Sequence, residues 1–90
     1  MLYMVIERFK NRDAIPVYRR FREKGRMTPA GLAYIDSWVE TNFDRCFQLM
    51  ECDDAELLEQ WANYWRDLVE FEFVPVRQSK EAAAIVAQEL

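Results

Sequence analysis

LAYIDSWVETNFDRCFQLMEC, residues 32–52, holds two runs of strand composition, LAYIDSWVE and RCFQLMEC, separated by the polar break Thr41 to Asp44. The pattern predicts a β-hairpin at the centre of a small sheet. Two registers are open to it. Pairing Glu40 with Cys46 gathers Ile35, Val39, Phe47 and Leu49 on one face and Tyr34, Asp36, Trp38, Gln48 and Met50 on the other. Sliding by one residue mixes the sets. The first register is preferred because it leaves one face free of buried polar groups.

Upstream of the hairpin, Leu2 to Phe9 has no breaker and is apolar on both sides, with Leu2, Met4 and Ile6 against Tyr3, Val5, Glu7 and Phe9. This is the pattern of a central strand. Asp13 then offers a carboxylate to the free N–H groups of a helix over 14–24, where Pro16 is harmless in the first turn and Gly25 closes the end. Ile15, Val17, Tyr18 and Phe21 are its expected buried stripe. A loop with Pro29 leads into the hairpin.

Downstream, Asp53 with Glu56 reads as a capping box, and Leu57, Leu58, Trp61, Trp65 and Leu68 recur at helical spacing. The two tryptophans are expected in the core. VEFEFVPV, residues 69–76, alternates as a strand, and Pro75 sends it to a sheet edge. Ser79 begins a short alanine-rich helix that ends at Leu90.

Ninety residues at 51% hydrophobic content point to one domain, core 1–76 and C-terminal helix 79–90. A chain of this size hides only about 60% of the surface its unfolded form exposes, so a partner subunit would help it. No apolar run reaches the roughly 18 residues of a membrane span, and MLYMVIERFK carries charge too early for a signal peptide. With free cysteines expected at Cys46 and Cys52, the reading is cytoplasmic. Net charge −4 divides into +5 over residues 1–26 and −9 over residues 27–90, which reads as one basic and one acidic solvated helix face.

Several chemistries are excluded by residue type. The chain has no histidine, so no histidine-ligated zinc or haem is possible, and no metal or cofactor is implied. Asp53/Asp54 and Glu70/Glu72 read as a helix start and a solvated strand face rather than as metal ligands. RNA-recognition domains share the element order expected here, yet DRCFQLMEC lacks the glycine and aromatic pattern of their third strand, and the chain is acidic; nucleic acid is not an expected partner.

The element order β-α-β-β-α-β plus a tail helix gives an α+β, ferredoxin-like antiparallel sheet with two helices on one face. The other face is left uncovered and apolar, which marks an interaction surface and predicts a homodimer. The segments MLYMV, Pro29 with Gly31-Leu32, DSW at Asp36–Trp38, CFQLMECDD at Cys46–Asp54 and WRDLVEFEFVPV at Trp65–Val76 resemble the dimeric α/β-barrel superfamily and, within it, a small bacterial family known only as a domain of unknown function. That resemblance implies the fold and the sheet-to-sheet dimer. The wider relatives include isomerases, cofactor-independent monooxygenases and haem-binding enzymes, so no activity carries over.

Two functions follow as expectations. The first is a small-molecule pocket on the open sheet face, lined by Tyr3, Glu7, Tyr34, Asp36, Trp38 and Gln48. Glu7 and Asp36 would be desolvated there and shifted toward acid–base use, and the rings would orient an apolar or aromatic ligand. The second is a dimer module with no chemistry, in which that face serves assembly alone.

Overall fold

A computed structural model describes residues 1–90. The elements are β1 (Leu2–Phe9), a 3-10 turn (Lys10–Arg12), α1 (Ile15–Lys24), β2 (Ala33–Val39), β3 (Arg45–Glu51), α2 (Glu56–Asn63), β4 (Val69–Val76) and α3 (Ser79–Ala87). The sheet order is β2-β3-β1-β4, with every neighbouring pair antiparallel. β1 and β2 are therefore parallel with β3 between them, and β3 and β4 are parallel with β1 between them. This is the ferredoxin-like split arrangement followed by a C-terminal helix. Pro75 lies on edge strand β4, where its missing N–H breaks no interior ladder.

Alternation assigns the two faces. Val5, Met50, Leu58, Trp61 and Trp65 share one core cluster, and Val17 of α1 packs against it, so both α1 and α2 cover the face that carries Val5. Cross-strand pairing puts Tyr3, Val5, Glu7 and Phe9 of β1 on that face with Cys46, Gln48 and Met50 of β3 and with Phe71 and Phe73 of β4. Leu2, Met4, Ile6, Phe47, Leu49 and Val74 fall on the opposite, open face. No helix of the protein is long and apolar enough to cross a membrane.

The hairpin adopts the slid register, not the one preferred from the sequence. Val39 pairs with Cys46, Trp38 with Phe47 and Ser37 with Gln48, and a bulge between Tyr34 and Asp36 restores Tyr34 to Met50. The turn sets this outcome. Glu40 N–H donates to the Arg45 carbonyl at 2.8 Å, and the Glu40 carboxylate accepts from Arg45 Nε at 2.6 Å. Gln48, placed by the sequence pattern beside Trp38, thus lies on the helix-covered face while Trp38 lies on the open one.

The two helices are anchored unequally. In α2, Trp61 is 1% exposed and stands edge-on to Phe71, with ring centroids 5.5 Å apart. Its start is held by Asp54 Oδ1, which accepts from the Glu56 N–H at 3.0 Å, so Asp54 takes the capping role expected of Asp53. The helix ends at Asn63, and turns carry the chain to Leu68. In α1, Asp13 Oδ1 accepts from the Ile15 N–H at 3.1 Å and Gly25 closes the helix at φ 71°, as expected. The expected buried stripe does not form, however. No α1 residue is buried, and Ile15 is 63% exposed. Only Val17 packs against both core clusters. The far side of α1 is tied down by Arg20, which donates to both carboxylate oxygens of Asp67 and to the Tyr64 carbonyl.

The loop from Gly25 to Gly31 crosses beside α2. Gly31 sits at φ 94°, a conformation that favours glycine, and a Cβ there would stand 3.0 Å from the end of the Leu57 side chain, which would have to shift slightly.

A candidate ligand cavity beneath helix α1

Because α1 stands off the sheet, a cavity of about 130 Å³ opens between them. Its floor is β1 and β3, through Glu7, Phe9, Cys46 and Gln48. Val17, Tyr18 and Phe21 of α1 form the roof, and Trp61 and Trp65 close one end. Arg26, from the loop after α1, is the one cation in the wall. The lining is predominantly apolar with a few convergent polar groups, the usual make-up of a small-molecule site.

Those polar groups form a chain. Arg26 Nε donates to Gln48 Oε1 at 2.9 Å, and Gln48 Nε2 donates to Glu7 Oε2 at 2.7 Å. Glu7 is 6% exposed in an apolar setting. Burial pushes its carboxyl pKa above the ordinary value; hydrogen bonds from Gln48 and Cys46 and the Arg26 charge offset only part of that. Beside it, burial and the Glu7 charge push the Cys46 thiol up to about 12. Cys46 is thus a neutral thiol, not a nucleophile, near pH 7. Tyr18 is likewise raised, by burial first and then by the Cys46 and Glu7 charges.

Arg26 is fixed from three sides. Its carbonyl accepts from Trp61 Nε1 at 2.9 Å and from Trp65 Nε1 at 3.1 Å. Its guanidinium lies 3.6 Å from the centre of the Tyr34 ring and 5.1 Å from that of Phe21. Tyr34 is itself held through its hydroxyl, 2.6 Å from Ser37 Oγ. An arginine stacked between rings keeps its charge and loses much of its side-chain freedom before any ligand arrives.

Of the six residues expected to line a pocket, the structure brings Glu7 and Gln48 into contact and sets Tyr34 beside them through Arg26. Tyr3 shares their face but lies toward the other end of β1, where its hydroxyl meets the Met1 sulfur. Asp36 is exposed and accepts from the Ser37 N–H at 2.8 Å. Trp38 is on the open face and 52% exposed. The turn register, which pairs Trp38 with Phe47 and Asp36 with Leu49, puts both on the open face, and the bulge at Ile35 returns Tyr34 to the side of Gln48 and Met50. Arg26, Cys46, Tyr18 and Phe21 were not anticipated. The sequence did hold a signal for the floor: Glu7 stands between Val5 and Phe9, and Gln48 between Cys46 and Met50, each a lone polar residue in an apolar row. Nothing local marks Arg26.

The family model for a domain of unknown function, DUF3303, matches residues 1–90. The chain belongs to the DUF3303 family. No curated protein and no solved structure matches it. For this DUF3303 domain the chemistry therefore has to be read from the cavity itself. The structure brings no three His, Cys, Asp or Glu side chains together in a way that would hold a metal ion. What the cavity offers is a carboxyl whose pKa burial raises, an amide, a fixed guanidinium and an aromatic wall.

Proposed function

We propose that this chain is a small-molecule-binding subunit of a homodimer, and that its ligand is a ring-sized apolar or aromatic molecule held beneath α1 rather than on the open sheet face. The observation that supports it is the Glu7 carboxyl, buried at the floor of an apolar cavity and connected through Gln48 to a pre-set arginine. A protein interior has little use for a buried acid as filler, because its charged form is costly and its neutral form packs no better than leucine. The volume suits one ring: an engineered apolar cavity of about 150 Å³ binds benzene.

The homodimer rests on the other face. Leu2, Met4, Ile6, Phe47, Leu49, Val74 and Trp38 leave an apolar surface that no helix of this chain covers, and sheet-on-sheet packing of two copies would bury it, as in the dimeric α/β barrels the sequence resembles. Two buried free thiols suit a reducing, cytoplasmic setting. The assembly-only alternative draws on the same open face and needs no ligand.

Fluorescence separates the two readings. In a Trp38→Phe background only Trp61 and Trp65 emit, and both border the cavity. Saturable quenching or a spectral shift on titration with phenol is the expected result. An unchanged spectrum up to millimolar probe, with light scattering reporting a dimer, would leave the assembly module as the function.

A further inference from the structure

The geometry points to a small planar acid as the cavity's ligand, with its carboxylate on the outer fork of Arg26 and its ring against the aromatic wall. This rests on the ligand-site reading above and narrows it to a chemical class.

Four observations bear on the choice. Arg26 makes no ion pair, and among the four arginines without one, Arg12, Arg19, Arg22 and Arg26, it alone lines the cavity. Only its Nε is engaged within the protein, by the neutral Gln48, so both terminal nitrogens are unpartnered by protein groups. They are not sealed in, since no buried side-chain nitrogen or oxygen lacks a hydrogen-bond partner. The fork is also held in place by the Tyr34 and Phe21 rings and, through the backbone, by both indoles. A rigid guanidinium with two free terminal nitrogens is the natural receptor for a planar carboxylate, which it meets with paired hydrogen bonds. A neutral ligand would leave that fork unused, and a cationic one would be repelled by it.

The neighbouring acid does not spoil this fit. The groups that face Glu7 are Gln48 and Cys46 from β3, Tyr18 from α1 and Arg26 from the loop; Arg26 is the one cation among them. An incoming anion favours the protonated carboxyl, so binding draws a proton onto Glu7 whenever the free protein has lost it. Affinity for the acid accordingly falls as pH rises through the range where free Glu7 ionises. A neutral probe shows no such trend.

The test is calorimetric titration of the intact protein with benzoate and with benzyl alcohol, in two buffers of different ionisation enthalpy and at several pH values. Benzoate is expected to bind about tenfold to hundredfold more tightly, the usual worth of charge-assisted hydrogen bonds, and to take up protons. Arg26→Gln removes the preference, bringing benzoate down to the affinity of benzyl alcohol; the fixed carbonyl of residue 26 remains for both indoles, so the loop keeps its anchor. Arg26→Lys, with charge but no fork, falls between. Glu7→Gln abolishes the proton uptake. Equal affinities for the two probes would overturn the acid assignment while leaving the ring-binding site standing. No binding of either would remove the site altogether.

Discussion

α1 and α2 lie on the same face of the same sheet, yet one is sealed to it and the other is not. α2 sinks Leu58, Trp61 and Ala62 into the core, whereas α1 buries nothing and meets the sheet through Val17 and through Tyr18, edge-on to Phe9. The difference lies in what each helix meets. Under α2 and the turn that follows it are Val5, Met50 and Phe71, apolar groups that welcome the indoles of Trp61 and Trp65. Under α1 are Glu7, Gln48 and Cys46, and a tightly packed apolar helix there would strand a carboxyl in hydrocarbon. The looser helix is the cost of keeping an acid beneath it, and the space left over is the cavity.

Substitutions in the two helices should expose that contrast. Trp61→Ala is expected to destabilise by roughly 3–5 kcal/mol, the usual cost of emptying an aromatic core position, measured by denaturant unfolding. A loss under about 1 kcal/mol would mean α2 is no better sealed than α1. At the other extreme, Ile15→Ala on α1 should fall within about 0.5 kcal/mol, as exposed positions do.

Between these lies a dependence on pH that belongs to the α1 side. Glu7 has a folded pKa above its unfolded one, so its protonated form is what the fold favours. Its contribution is fully present below the unfolded value and is lost as pH rises through the folded value. Glu7→Gln, which keeps the shape without the charge, should therefore melt above the parent at pH 8 and level with it near pH 4. A variant that melted lower at pH 8 would show Glu7 stabilised as an anion. Cys46 sharpens the same point: its high pKa predicts little reaction with iodoacetamide in the folded protein at pH 7, where an activated thiol would label within minutes.

The sequence made the element order legible because its signals were local and redundant: glycine after Lys24, an acid before each of the first two helices, proline in an edge strand, and tryptophans four apart. β1 and β4 came out with the bounds expected. The hairpin register did not, because the strand is mixed on both faces. The deciding contacts, the Glu40–Arg45 turn and the bulge at Ile35, are geometric choices that no alternation pattern reports. That single slip also explains the pocket. Asp36 and Trp38 were expected beside Gln48, and the register set at the Glu40–Arg45 turn put them on the opposite side. Glu7 and Gln48 remained together because β1 and β3 pair without interruption. Arg26 reaches them from a loop whose path is set by two indoles far along the chain, a tertiary fact with no trace in the local sequence.

The most direct test of a ligand site beneath α1 is to locate a bound ring. With saturating phenol and methyl-labelled protein, intermolecular nuclear Overhauser effects should run from the probe's ring protons to the methyl groups of Val17 and Val39. The methyls of Leu49, Ile6 and Met4 on the open face should give none. Contacts to Leu49, Ile6 and Met4 in place of Val17 and Val39 would put the ligand on the uncovered side of the sheet and contradict the account.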